Sequence, residues 1–312
     1  MSPRAASVSV VVCAYTERRW SDLVDAVGSV AAQSVPPHEI IVVSDHNPAL
    51  LERARRELPA TVVIANEQEQ GLSGARNSGV GVARGDIVAF LDDDAVAAPD
   101  WLEQLVAPYE DRRVIGVGGT VEPLWPGARP SFMPHEFDWV VGCTYRGMPV
   151  TTEPVRNLIG ANMSLRRQVF DAVGGFRADV GRVGTRPVGC EETELCIRAR
   201  RCLPGTEIIF EPRARVRHRV TPERADVRYF RARCWAEGLS KAVVARHAGR
   251  DDALSSERRY VTSTLPRGLA RGLRDAAAGD EAGGLARAAW IVAGVTITAA
   301  GYGVGAVRAQ LT

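Results

Sequence analysis

Three consecutive carboxylates, Asp92, Asp93 and Asp94, follow directly on the apolar run from Ile87 to Leu91. Like charges side by side at the end of a buried strand repel one another unless a positive charge meets them. A divalent cation is the economical partner, because Mg2+ and Mn2+ prefer carboxylate oxygen and also hold substrate phosphates. In an extended segment Asp92 and Asp94 face one way and Asp93 the other. The working unit therefore reads as D-x-D with Asp93 as the middle residue. The competing reading is a solvated acidic turn that caps a helix over Pro99–Tyr109; the buried strand in front of the turn favours metal. A second acidic cluster, Glu191, Glu192 and Glu194, opens a helical pattern over 190–203 that ends in arginines, as the helix dipole prefers. One of these carboxylates could act as a general base. Glu191 and Glu194 share a face and Glu192 points elsewhere. A third stretch, 66–86, is glycine-rich and carries Arg76 and Asn77 into a helix, a start suited to a diphosphate. It contains neither a Walker loop nor a convincing dinucleotide fingerprint. His218 ends an alternating strand, "RARVRHRV", beyond the acidic helix.

The elements that must position these residues alternate. Apolar, β-branched runs at 7–13, 39–44, 60–65 and 85–91 read as strands covered on both faces. Helical spacing fills 20–34, 48–58 and 73–84, with Asn47-Pro48 and Ser73 as helix starts. Such alternation implies an α/β fold with a mostly parallel central sheet. Ligands then bind beyond the carboxyl ends of the strands, so Tyr15, Glu17, Asp45 and Asp92–Asp94 share one rim. From 121 to 190 the text turns rich in proline and aromatics and reads as loops and short elements forming one wall of a site. The expected division is a catalytic domain over 1–222, with halves at about 1–120 and 121–222, and a helical C-terminal region over 223–312.

The 312 residues carry a net charge of +2, unevenly spread. Residues 1–212 hold 21 Arg against 28 acids, a net of −7, while 213–274 hold 15 Arg and one Lys against 6 acids, a net of +10. An acidic body argues against nucleic acid as a partner, and the basic segment suits a membrane surface. Ala288–Val307 is 20 residues without a charge, bracketed by Arg287 and Arg308, long enough to cross a bilayer. A helix in or on the membrane, a soluble packing helix and a contact between protomers all remain open for it. Gly301 and Gly305 offer a place for a neighbouring helix. The six cysteines form no C-x-x-C pair or zinc spacing and are expected buried and reduced, in a cytoplasmic protein without a signal peptide that is peripheral to or anchored at the membrane.

Taken in order, these motifs resemble the family 2 glycosyltransferases, which have the GT-A nucleotide-sugar fold. "VSVVVCAYTERR" is similar to the family's first strand and Tyr-Asn-Glu turn, and "EIIVVSDHN" to its second strand with an acidic nucleoside contact. "GLSGARNSGVGVARGDIVAFLDDDAVAAPDWL" matches the Ala-Arg-Asn helix, fourth strand and D-x-D; "IGANMSLRRQVFDAVGGF" and "EETEL" match the acceptor-side loop and base motif. The resemblance covers about 8–220. It implies that Tyr15, Glu17, Asp45 and Arg76 lie on the nucleotide side with Asp92 and Asp93, and that Asp92, Asp94 and His218 hold Mg2+ or Mn2+. It places Asn162 and Trp101 in acceptor and donor loops and makes Glu192 the base, with Glu191 as rival. The implied activity is inverting transfer from a nucleotide-sugar, a UDP-sugar, to a hydroxyl or phosphate acceptor. A lipid-linked acceptor, a soluble small-molecule acceptor and a sugar-phosphate nucleotidyltransferase stay open as readings, as does self-association. Thr16, Ser44 and the Glu at the base position depart from the family's usual Asn, Asp and Asp.

Overall fold

The computed structural model describes residues 6–178, 189–248 and 255–311. Contacts divide the chain into two compact units. One holds residues 6–122, 149–178 and 191–218; the other holds 123–148, 189–190 and 219–311.

The first unit is built on the apolar runs. Strands β1 (Val8–Ala14), β2 (Glu39–Ser44), β3 (Val62–Ala65) and β4 (Ile87–Asp92) pair in parallel in the order β3-β2-β1-β4. Their crossovers are α1 (Trp20–Ala31), α2 (Pro48–Glu57) and α3 (Leu72–Val82). Asn47 caps α2 by accepting from the Leu50 amide at 3.0 Å, with Pro48 at the first helical position. The start of α3 falls at Gly71 rather than Ser73, because Gly71 takes a φ of 130° that only glycine adopts readily.

Beyond β4 the sheet continues with antiparallel strands. In chain order these are β5 (Ala95–Ala97), β6 (Val114–Leu124), β7 (Glu153–Pro154), β8 (Asn162–Arg166) and β9 (Glu207–Arg219). The sheet runs β4-β8-β6-β9-β5, and β7 pairs with β9. Two registers position the acidic turn. Cys13 lies opposite Asp92, which brings the turn after β1 alongside the carboxylates, and Ala95 lies opposite His218, which brings the imidazole to them from the other side. Phe90 anchors the buried face beneath, edge-on to Phe176 and Phe170 at 5.4 and 6.2 Å. The helix expected over Pro99–Tyr109 is shorter. It forms α4 (Trp101–Val106) and then a 3-10 turn over Ala107–Glu110, where Pro108 lacks the amide an α-helix needs. Two further helices, α5 (Arg167–Val173) and α6 (Glu191–Cys202), complete the unit.

All six cysteines are free, and burial pushes the Cys13, Cys196 and Cys234 thiols up to about 12. These are inert, uncharged groups. Cys202 departs from the expectation of burial: as the last residue of α6 it is exposed.

The second unit is helical: α7 (Val227–Ala248), α8 (Ser255–Arg259), a π-helical turn (Tyr260–Thr264), α9 (Leu265–Ala277) and α10 (Glu281–Leu311). The proline- and aromatic-rich segment 123–148, read from sequence as part of the acceptor half, packs with these helices. Phe132, Phe137, Phe230 and Trp290 form one aromatic cluster, with ring centroids 5.3 to 6.2 Å apart. The Tyr260 hydroxyl donates to the Glu136 carbonyl at 2.6 Å and accepts from the Trp139 indole at 3.1 Å. Gly301 and Gly305 meet a helix of their own chain: Gly301 lies against Gly238 and the Trp235 carbonyl, and Gly305 against Leu239 and Ala242, all on α7. The span Gly283–Arg308 is long and apolar enough to cross a bilayer, with a mean hydropathy of 1.5, and 22% of its apolar window is buried. Leu285, Val292 and Val307 are each more than half exposed along it.

The close approach of α10 to α7 predicts opposite effects for two neighbouring alanines. At Gly301 a Cβ would overlap the Trp235 carbonyl, whereas nothing lies within 4 Å of one at Gly303. Gly301→Ala should destabilise the full chain by about 1–3 kcal/mol. Gly303→Ala should stabilise it by about 0.5–1 kcal/mol through helix propensity. Thermal unfolding followed by circular dichroism compares the two; equal shifts would contradict the packing.

Candidate active site

At the end of β4 the backbone turns, and each carboxylate meets a basic side chain. Arg19, in the 3-10 turn Glu17–Arg19, places Nη1 3.1 Å from Asp93 Oδ1 and 2.9 Å from Asp94 Oδ2. His218 Nε2 lies 3.0 Å from Asp94 Oδ1, and Arg76 Nη2 lies 3.5 Å from Asp92 Oδ1. Asp93 and Asp94 are buried, while Asp92 keeps about a third of its side chain open. Because the strand ends at Asp92, the simple alternation expected of an extended D-x-D does not continue through Asp93. That residue is enclosed rather than turned out to solvent. Burial first, then the Asp94 charge, pushes its carboxyl up to about 7 against the pull of Arg19. In turn Asp94 and Asp93 outweigh desolvation and raise the Arg19 pKa.

One ligand atom each from Asp92, Asp94 and His218 lie within 4.8 Å of one another. Two carboxylates and an imidazole are a donor set that suits Mn2+ or Mg2+, and the negative charge gathered here favours a cation, so these residues fit the ion the D-x-D implies.

Below the cluster, Arg76 is enclosed on all sides. Its Nη1 donates to Glu191 Oε1 at 2.9 Å and its Nη2 to the Gly160 carbonyl at 3.1 Å. The Phe176 and Phe90 rings face it at 5.4 and 5.8 Å. Desolvation alone would lower its pKa; Glu191 and Asp92 outweigh that and raise it. Arg76 thus ties the start of α6 to the end of β4, a position different from the open phosphate contact that its helix suggested. Glu191 is buried, with Oε2 making no hydrogen bond among the described residues. Glu192 beside it is only half-buried, and Glu194 is paired with Arg198 at 2.8 Å.

On the other side of the rim, Tyr15 is 40% exposed with the Arg19 guanidinium 5.6 Å from its ring centroid. Glu17 is open to solvent, 4.0 Å from Arg53. Asp45 is a tie as much as a contact: it accepts from the Gly71 amide at 3.0 Å and the Asn66 amide at 2.7 Å, with His46 at 2.9 Å. Trp101 and Asn162 sit inside the unit, fully buried. The indole donates to Asn162 Oδ1 at 2.8 Å, and the Asn162 amide donates to the Thr120 and Ala214 carbonyls at 3.0 and 2.8 Å. They brace α4 against β6, β8 and β9. Arg19, Asn66 and His46 belong to the site and were not singled out from sequence. The only local signal for Arg19 was the Arg pair after Tyr15-Thr16-Glu17.

The family model for glycosyl transferase family 2 matches residues 9–174. A glucosyl-dolichyl phosphate glucuronosyltransferase of Haloferax volcanii is 39% identical over 241 residues, covering 76% of this chain and 77% of the relative. The succinoglycan biosynthesis protein ExoM of Rhizobium meliloti is 29% identical over 74% of this chain and 72% of its own length. Among solved structures, a mannosyltransferase from Pyrobaculum calidifontis, in complex with GDP-Man and Mn2+, superposes with a TM-score of 0.59 at 18% identity, covering 94% and 87% of the two chains. That likeness is one of fold.

Three substitutions separate structural from metal-holding carboxylates. Arg76→Met leaves Glu191 and Asp92 without their cation and should cost about 3–5 kcal/mol in urea unfolding. Asp94→Asn should weaken Mn2+ binding by more than about 100-fold, and Asp93→Asn by about 10-fold, the low end for groups outside the coordination sphere. Calorimetric titration with Mn2+ reads both; equal losses would remove Asp94 from the ligand set.

Proposed function

The chain belongs to glycosyltransferase family 2, and from that premise we propose that it transfers a sugar, with inversion, from a UDP-sugar to a lipid-linked acceptor at a membrane surface. The observation that carries the reading is the Asp92–Asp94–His218 cluster at the end of β4, on a rim with Tyr15 and Glu17. A bound Mn2+ or Mg2+ would neutralise the charge that grows on the leaving diphosphate. Asp92, Asp94 and His218 would hold it, while Arg19 pairs with Asp93 Oδ1 and Asp94 Oδ2. Tyr15 offers an open aromatic face to the nucleoside, and Asp45 keeps the loop before α3 in place while its remaining lone pair serves the base or ribose.

Glu192 takes the proton of the acceptor hydroxyl. The neighbouring Glu191 is the weaker candidate, since it is buried and committed to Arg76 at 2.9 Å. Anchored in this way, Glu191 holds the first turn of α6 and so fixes where the Glu192 carboxylate stands.

A lipid-linked acceptor is supported by the name of the Haloferax volcanii relative, which also makes UDP-glucuronic acid the first donor to test. For the membrane we favour α10 lying on the surface rather than spanning it. It packs along α7, whose Arg231, Arg233, Glu237 and Lys241 are ill suited to a bilayer interior, while Leu285, Val292 and Val307 remain exposed to meet it.

A thermal-shift screen of nucleoside diphosphates with and without Mn2+ tests the donor. UDP should stabilise the chain only with the metal; stabilisation by GDP and not UDP would overturn the UDP assignment. Glu192→Gln should lower kcat with a hydroxyl acceptor by about 100-fold or more while leaving UDP and Mn2+ binding unchanged. Full turnover in that variant would remove Glu192 from the base position.

A further inference from the structure

The helical unit contains a cavity of about 410 Å3, within the ~300–1,000 Å3 range of small-ligand sites. Four arginines from three separate segments line it: Arg129 and Arg146 from the 123–148 segment, Arg271 from α9 and Arg287 from α10. Among the described residues two carboxylates, Glu136 and Asp275, face it with them. Arg129 is held from behind by Asp138 at 2.6 Å, and Arg287 by Asp275 and Asp280 at 2.8 and 3.0 Å. Counting all four acids, the group is formally neutral, but Asp138 and Asp280 do not line the void.

What the void sees is an excess of donors. Glu136 is buried and shared between two guanidinium groups, pairing with Arg271 and lying 3.7 Å from Arg146. Arg271 Nε is buried and makes no hydrogen bond among the described residues. A guanidinium has five N–H donors, and one carboxylate edge satisfies at most two of them. A buried donor without a partner is costly. Forked donors converging from several directions match the oxygens of a phosphoryl group better than they match water.

We propose that this cavity is an oxyanion site that takes a phosphoryl group. The phosphoryl group can come from a lipid phosphate or from free phosphate. The lipid source rests on the reading of the acceptor as lipid-linked. The surroundings favour it: Ile291 lines the cavity one turn after Arg287, and from Ala288 the helix runs without a charge to Val307, with Val292 exposed beside it. A phosphate seated among the arginines would leave an attached hydrocarbon chain against that apolar face.

The test is a calorimetric titration of the full chain with inorganic phosphate at constant ionic strength, without Mn2+ or nucleotide. Its outcome is therefore independent of whether the chain uses UDP. Wild type should bind, Arg271→Gln and Arg146→Gln should each lose about tenfold in affinity, and Asp94→Asn should bind as wild type does. Should Arg271→Gln unfold because Glu136 loses its partner, Arg271→Lys keeps the charge and should lose less than the glutamine. Arg146→Gln touches only the longer contact.

Phosphatidylcholine vesicles with and without phosphatidic acid distinguish the sources. Recruitment by phosphatidic acid, reversed by inorganic phosphate and lost in the arginine variants, identifies a lipid phosphate. Phosphate binding with no such recruitment keeps the oxyanion site and overturns the lipid source. No phosphate binding, or equal binding by wild type and both arginine variants, overturns the proposal and leaves a water-filled cavity.

Discussion

Negative charge accumulates at one point of this fold, and the structure around it is organised by the need to meet that charge. Three aspartates gather where β4 ends, and Glu191 opens α6 close by. Arg76 is the shared counter-ion of Asp92 and Glu191, with 2% of its side chain exposed. A guanidinium so buried is tolerated only with its donors satisfied and its partners charged. Arg76 therefore fixes the spacing between the end of β4 and the start of α6, the two places where the carboxylates of chemical interest sit. Arg19 and His218 do the same for Asp93 and Asp94 from the strand edges on either side.

This arrangement separates roles that look alike in the chain. Asp93 and Glu191 sit beside Asp92 and Glu192 but are turned into ion pairs inside the unit. Asp92 remains partly open and Glu192 half-buried. The contrast between enclosed and open members separates Asp92 from Asp93 and Glu192 from Glu191, whereas Asp94 is as enclosed as Asp93 and is set apart by His218 Nε2 at 3.0 Å.

Much of this was legible in the residues. The apolar runs before Asp92 and in β1 and β2 could only be buried strands, and strand alternation with helices placed their carboxyl ends on one rim. The fold class and the Asp92–Asp94 pair followed from that, while the grouping of His218 with them came from the resemblance to the family 2 glycosyltransferases. What lay beyond reach was long-range pairing. Arg19 meets Asp93 across 74 positions and Arg76 meets Glu191 across 115, and no local pattern encodes either. Arg76 was read as a phosphate contact because its helix start is glycine-rich; the ring faces of Phe90 and Phe176 that enclose it come from elsewhere in the chain. The packing of segment 123–148 with the helical unit was out of reach for a related reason. Its prolines and aromatics have no period, so nothing local states that Phe132 and Phe137 pack with Phe230 and Trp290.

The central claim is that the chain transfers a sugar with inversion, with Glu192 as the base that takes the acceptor's proton. The most direct measurement is the anomeric configuration of the first product formed from an α-linked UDP-sugar, read by proton NMR before any spontaneous anomerisation. A β-linked product is the result this account predicts. An α-linked product would contradict it.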